Sequence, residues 1–391
     1  MKKQVRRVNK LLFNLAWAFY GKPFAKRKIN LQIEGDIKGL KPPFILMANH
    51  TSFADLVATV GAVRPHVFNT VVSASQVVRH KWVFKQMGVI AKRQFSSDYT
   101  VIKQIKSVLT RGGNVFVYPE GKLSVDGRPN PVQPAFAKMV KMLNVPLVSV
   151  MVHGGYLFRP RWSLSRRKVT IRADVKVLSL DEIKSMTALE LNQYVQERFA
   201  TVNDYKYQRE NKIEINPDDL AEGLHTILYH CPKCNSKFAL SSAGNKVACL
   251  KCGMVATMDE YGELSGKKVA YDKVADWYDW QREQVKKEVQ QDDYTFSTNC
   301  FIQKLDERKG FKNVGNGSLW HNKDGFTLVL PDQSQVEFPT AQLSSLSFEA
   351  DCLYLSCTLA TYKVIMPEEC AQGQTAYLNL AVEELFKLQQ N

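Results

Sequence analysis

His50 and Asp55 lie five residues apart in the string Ala48-Asn-His-Thr-Ser-Phe-Ala-Asp55, directly after an apolar run. In one continuous helix two such side chains would point about 140° apart, so they can meet only across a strand-to-helix junction. With His50 in the loop and Asp55 in the first helical turn, the carboxylate can accept one imidazole N–H and leave the other nitrogen as a base. Thr51 or Ser52 suits the N-cap. A capped helix with an internally satisfied histidine would show the same spacing. A second string, Tyr118-Pro-Glu-Gly-Lys-Leu-Ser124, also follows an apolar run. It places Glu120 at a strand end, the edge at which α/β sheets bind ligands. A third group is Cys231-x-x-Cys234 with Cys249-x-x-Cys252, two knuckles that can bring four thiolates onto one tetrahedral zinc. Lys233 and Lys251 inside the knuckles ease that negative charge, and Gly253 follows the second. A ribbon without metal, or a redox dithiol, would use the same pairs. Four thiolates leave His230 no ligand role, and a surface position is expected for it.

The elements that must position these groups read as an α/β layer from Pro42 to about Val175, where short apolar runs alternate with helical segments. Strands are expected at 44–47, 70–73, 88–91, 114–118, 145–152 and 166–174, with helices at 52–63, 81–87, 99–110, 134–143 and 180–202. The loop 124–134 holds Asp126-Gly127 and three prolines and cannot be regular. The expected organisation is an N-terminal basic amphipathic helix (1–28), an α/β domain (29–203), a polar linker (204–229), a zinc ribbon (230–265), a helical connector (266–293) and a β-rich domain closed by a helix (294–391). That last domain loosely resembles a pleckstrin-homology-like barrel. Trp277, Tyr278 and Trp280 on the connector suit core packing.

With 391 residues, 45% hydrophobic and 23% charged, the chain is neither disordered, collagen-like nor a coiled coil. Its net charge of +15 is uneven. Residues 1–180 hold 31 basic and 7 acidic side chains, net +24, and the rest hold 22 and 31, net −9. The basic half suits an anionic surface, and an acidic second half suits a separate protein partner. Nucleic acid is not expected, because the positive charge lies away from the ribbon and no basic-aromatic platform is present. The apolar run Leu11–Tyr20, about ten residues, is too short for a span of roughly 20. Basic residues precede it and Ala16-Trp-Ala18 imitates a cleavage site, but bulky neighbours and Lys22, Lys26, Arg27 and Lys28 oppose export. An interfacial helix is expected, with Val5, Val8, Leu12, Leu15 and Phe19 on one face, or a helix packed on its own domain; the two can coexist. The expected location is the cytoplasmic face of the membrane, a reducing compartment without disulfides, in which Cys300, Cys352, Cys357 and Cys370 act as small hydrophobes.

Together and in this order, the motifs resemble the glycerol-phosphate acyltransferase family, in particular the 1-acylglycerol-3-phosphate acyltransferases. Asn49-His-x-Ser-x-x-Asp55 is similar to that family's first motif, Gly88-x-x-x-x-Arg93 to the second, Pro119-Glu-Gly121 with Ser124 to the third, and Val145-Pro-Leu-Val-Ser-Val150 to the fourth. The match spans about residues 30–200. It implies an acyltransferase-type sheet with flanking helices, His50 as general base and Asp55 as its orienting partner. It further implies substrate contacts from Asn49, Ser52, Lys92, Arg93, Glu120, Gly121, Lys122 and Ser124, with Arg93 and Lys92 on the acceptor phosphate and backbone N–H groups near Gly121 on the oxyanion. The reaction implied is acyl transfer from acyl-CoA or acyl-carrier protein to a lysophospholipid, most simply 1-acylglycerol 3-phosphate, with no catalytic cofactor; structural zinc in the ribbon is expected from the cysteine spacing alone. This chain has Leu123 where the family usually has arginine and Lys122 where it usually has threonine, which leaves the acceptor open. Another lysolipid acceptor, a transacylase, or an inactive zinc-ribbon scaffold or nucleic-acid-binding protein are the alternative readings.

Overall fold

The apolar runs 45–48 and 147–153 are buried at every position, as interior strands covered on both faces must be. The computed structural model describes residues 5–79, 81–92, 99–216, 218–306, 309–357, 360–367 and 373–390. The described chain divides into two compact units, one running to residue 215 apart from 162–164, the other comprising those three residues and the chain from 216.

The first unit is built on a seven-stranded sheet of β1 (Gln32–Glu34), β2 (Ile45–Ala48), β3 (Phe68–Ser73), β4 (Ile90–Lys92), β5 (Asn114–Val117), β6 (Leu147–His153) and β7 (Arg172–Leu178), in the order β1-β7-β6-β2-β5-β3-β4. All neighbours are parallel except β6 and β7. The carboxyl ends of β2, β5, β3, β4 and β6 therefore share one edge. A core of Ile45, Met47, Ile105, Val115, Phe136, Val140, Leu147 and Phe199 fixes helices against the sheet. The α/β expectation holds, with local shifts. The run 166–174 becomes strand only from Arg172, β1 was not foreseen, and the single helix expected at 180–202 is two, Leu180–Ser185 and Ala188–Ala200. Each of those has its own capping box, Ser179 with Glu182 and Thr187 with Glu190, and the second cap cuts the run. The N-terminal segment is helical from Lys10 to Arg27 through a π-turn, with Phe13 buried against Phe68, while Leu11, Leu15, Phe19 and Tyr20 stay exposed.

Residues 204–229, expected as a polar linker, carry the helix Asp204–Glu210 and the buried Tyr207, Leu220, Leu224 and Leu228. In the second unit, the antiparallel strands β8 (Leu240–Ala243), β9 (Lys246–Cys249), β10 (Val255–Met258) and β11 (Leu264–Ser265) form the cysteine module, and the helix Val274–Val289 follows. The β-rich part has β12 (Thr295–Asp306), β13 (Gly310–Asn322), β14 (Gly325–Val329), β15 (Gln335–Pro339), β16 (Ser347–Phe348), β17 (Cys352–Ser356) and β18 (Thr361–Ile365), all antiparallel in the order β15-β14-β13-β12-β18-β17-β16, and the helix Gln374–Gln390. Two meanders thus meet where the first strand pairs with the last. The β-rich region with its terminal helix is as expected.

Candidate active site

Ser52 leaves the extended region at the end of the β2 loop and caps the helix Phe53–Ala62, its Oγ accepting from Ala54 N at 3.1 Å. Asp55 completes the capping box: its Oδ2 accepts from the N–H of Ser52 at 2.7 Å and from that of Thr51, and its Oδ1 from Thr51 Oγ1 at 3.1 Å. The carboxylate is fully buried at a helix N-terminus, where backbone N–H groups supply its hydrogen bonds. Sequence placed His50 in the loop and Asp55 in the first turn, and the fold does the same. His50 Nδ1 faces Asp55 Oδ2 at 3.7 Å, beyond hydrogen-bond length, and is a buried atom with no partner among the described residues. In the absence of substrate such contacts are commonly long and tighten on binding. The imidazole is stacked on Tyr118, with ring centres 3.8 Å apart and planes 13° from parallel. A quarter of the His50 side chain remains exposed. The hydroxyl of Tyr118 is buried without a hydrogen-bond partner among the described residues.

Glu120 joins the two loops. Its Oε1 accepts from the backbone N–H of His50 at 2.6 Å, and its Oε2 accepts from Asn130 N and from Asn130 Nδ2 at 2.9 Å. The turn that aims it needs Gly121, which has φ 72° and closes onto Tyr118 O at 3.1 Å. The Gly121 N–H is engaged within the turn. Ser124 N donates to His50 O at 2.8 Å, and Ser124 Oγ donates to Arg128 O and accepts from Gly127 N, which shapes the following loop. Asn49 is buried and pairs both ways with Val152, its Nδ2 donating at 2.9 Å and its Oδ1 accepting at 2.7 Å, which locks β2 to β6. Asn49, Ser52, Glu120 and Ser124, read from sequence as substrate contacts, also hydrogen-bond within the protein and help to build the site. Lys122 is also buried rather than open at the surface. Lys92 ends β4, three strand steps from β2, or about 14 Å along the sheet edge at ordinary spacing. Arg93 lies outside the described residues.

Burial pushes the Glu120 carboxyl up to about 8, against the opposing pull of the Asn130 and His50 donors. A value above the ordinary 4.5 means that the folded chain holds this proton more tightly than the unfolded one. That contribution to stability is complete below about 4.5 and is lost as pH rises through about 8. The urea midpoint of the wild-type chain should accordingly fall across that range, and Glu120→Gln should flatten the fall. An unchanged pH slope in the variant would sever the link.

Three residues escaped the sequence reading. Asn130 lay in a loop recognisable only as irregular. Asp204, buried in the supposed linker, accepts from Gly154 N at 2.7 Å and Tyr156 N at 2.8 Å, and burial pushes its carboxyl up to about 7. Between those donors sits Gly155, where any Cβ would overlap Asp55 Oδ1 and Thr51 Oγ1. Gly155→Ala should cost about 1–3 kcal/mol of stability through overpacking. It should also lower turnover by displacing Asp55, which a urea titration and kinetics on the same sample would show. No local pattern in the sequence marks any of the three.

The cysteines of the second unit converge as expected. All four sulfurs lie within 4.8 Å of one another, with Cys231 Sγ 3.8 Å from Cys252 Sγ and Cys234 Sγ 3.7 Å from Cys249 Sγ. His230, expected at the surface, is buried, because its ring packs on Trp280 and its Nε2 pairs with Asn235 Oδ1 at 2.8 Å. Cys300 and Cys352 are buried, Cys357 is partly exposed, and Cys370 lies outside the described residues.

Residues 27–153 match the family model described as acyltransferase. A chloroplastic 1-acyl-sn-glycerol-3-phosphate acyltransferase of Brassica napus is 24% identical over 168 residues, 41% of this chain and 48% of that protein. Another from Arabidopsis thaliana is 26% identical over 103 residues, 26% of this chain and 29% of that one. The chain thus spans half or less of the length of these relatives. The crystal structure of the 1-acyl-sn-glycerophosphate acyltransferase PlsC from Thermotoga maritima has 19% identity and a TM-score of 0.37, covering 44% of this chain and 69% of that one. The segment that builds the His50 and Glu120 loops is the segment that the acyltransferase family model matches, residues 27–153, in line with the resemblance read from the motifs.

Proposed function

We propose that the chain transfers a fatty acyl group from acyl-CoA or acyl-carrier protein to the hydroxyl of a lysophospholipid, with 1-acylglycerol 3-phosphate as the favoured acceptor. The observation that carries this reading is the His50 ring, clamped on Tyr118 with Nδ1 turned to the buried Asp55 carboxylate and a quarter of its side chain open. A carboxylate on one imidazole nitrogen fixes the tautomer and leaves the other to take the acceptor's hydroxyl proton as the oxygen attacks the thioester carbonyl. The thiolate then leaves with a proton, for which the imidazolium is the donor. The names of the two chloroplastic relatives support the acceptor. Leu123, where the family usually has arginine, favours a second reading, another lysolipid headgroup, and an acceptor panel separates the two.

We further propose that an anionic membrane surface is the partner of the N-terminal helix. Among the described residues no helix is long and apolar enough to cross a membrane. The stripe Leu11, Leu15 and Phe19 is nevertheless exposed, with Lys10, Lys22, Lys26 and Arg27 around it, and each basic group near an anionic surface adds about 1 kcal/mol. Cosedimentation with vesicles containing acidic lipid should fall as salt is raised, and further with Phe19→Glu. Binding that ignores both would remove the membrane from the account. For the four thiols the proposed cofactor is zinc, in a structural role, and the acidic second half is the proposed site of any protein partner.

A further inference from the structure

We infer that the four-cysteine cluster is a closed zinc centre whose ion holds the segment Ile227–Cys231 onto the helix Val274–Val289, so that the fold of the second unit depends on metal. The inference rests on the zinc proposal and not on acyl transfer.

The geometry fits zinc closely. A tetrahedron with zinc–sulfur bonds of about 2.3 Å places its sulfurs about 3.8 Å apart. The two sulfur pairs stand at 3.8 and 3.7 Å, far from the ~2.05 Å of a disulfide. The two knuckles also repeat each other atom for atom. Cys231 N donates to Ser236 O at 2.9 Å and Cys249 N to Met254 O at 2.8 Å; Asn235 N donates to Cys231 O and Gly253 N to Cys249 O, both at 2.9 Å. Asn235 and Gly253 hold the matching left-handed positions, with φ 57° and 68°. Two turns of one form facing each other aim four sulfurs at one point. With four protein ligands no position is left for water or substrate, which is the mark of a structural site.

The strands β8 to β11 are two to four residues long, and a module of this size, below about 40 residues, ordinarily needs a metal or disulfides. The segment entering Cys231 is nonetheless pinned. Gln281 Oε1 accepts from the N–H groups of Tyr229 at 2.8 Å and His230 at 2.9 Å, and Gln281 Nε2 donates to Ile227 O at 3.0 Å. Trp277 Nε1 donates to His230 O at 2.9 Å. Gln281 and Trp277 are both fully buried, so these bonds exist only while residues 227–231 keep their path. The ion fixes the end of that path at Cys231.

The test uses the full chain. Elemental analysis should find one zinc per chain, released when a mercurial blocks the thiols. Replacement of zinc by cobalt should give the strong absorption of a tetrahedral thiolate site. Chelation should lower the unfolding temperature and shift the indole emission, and replacing both Trp277 and Trp280 by Phe should abolish most of that shift. Cys249→Ser should lose the metal, whereas Cys300→Ser should keep it. Should Cys249→Ser fail to fold, the cobalt spectrum and the chelation of wild-type protein still decide. Folded chain without metal, iron in place of zinc, or chelation that leaves the indole signal unmoved would each overturn the inference. None of these readouts measures acyl transfer, so their failure and that of the enzymatic reading are distinct.

Discussion

His50→Ala is expected to lower kcat/KM for acyl transfer by about 10²–10⁴, the usual worth of a positioned general base. The loss should appear with little change in stability, because the ring is partly exposed and its nearest partner is a stacked Tyr118 rather than a hydrogen bond. The backbone N–H of His50, which donates to Glu120, survives the substitution. The glutamate linkage between the two loops should therefore remain. Initial rates alongside a urea titration of both proteins measure the split. A variant that folds normally and keeps wild-type rates would remove His50 from the chemistry. A variant that loses rate only because it unfolds would give the histidine a structural role.

Asp55 is expected to behave differently, because it holds the fold and the base at once. Asp55→Ala strips the capping box and leaves the buried N–H groups of Thr51 and Ser52 without an acceptor. A lost cap costs about 1 kcal/mol, and each buried donor left unsatisfied costs about 1–3 kcal/mol. Together these should bring the variant down by several kcal/mol. Asp55→Asn keeps the shape and one accepting oxygen, so its stability loss should be smaller. It should still lose turnover heavily, because an amide cannot hold the imidazole as a carboxylate does. A stable Asp55→Asn protein with wild-type rates would show that the aspartate serves only the helix cap.

The proposed base and its proposed partner were legible in the sequence because strand, loop and helix cap fall within eight consecutive residues, where local chemistry decides the structure. Likewise the spacing of Cys231, Cys234, Cys249 and Cys252 announces convergence, since two tight turns need nothing distant to form them. Glu120 was visible as a strand-end carboxylate, but its role as a brace was not, because Asn130 approaches through an irregular loop. Gly155 and Asp204 were invisible for a stronger reason. Their importance lies in a steric overlap with Asp55 and in two backbone donors, each a meeting of residues about 50 or more positions apart. In the second unit the long hairpin β12–β13 lies inside the expected β-rich domain, but its two strands are not individually legible because Asn299, Asn313, Gly315 and Asn316 depress strand propensity. Its register instead shifts at Ile302 and Gln303, an irregularity that no alternation pattern reveals. The break at Thr187 was the converse case: its capping box was present in the sequence but was overridden by the apolar periodicity on either side.

The central claim is that this chain moves an acyl group onto a lysophospholipid. It is tested most directly by product formation from the purified chain, with acyl-CoA and acyl-carrier protein as donors and lysophosphatidate among a panel of lysolipid acceptors. The account predicts a diacyl product and stoichiometric release of free thiol, with lysophosphatidate the preferred acceptor. Folded protein that forms no product with any donor and acceptor pair would contradict it.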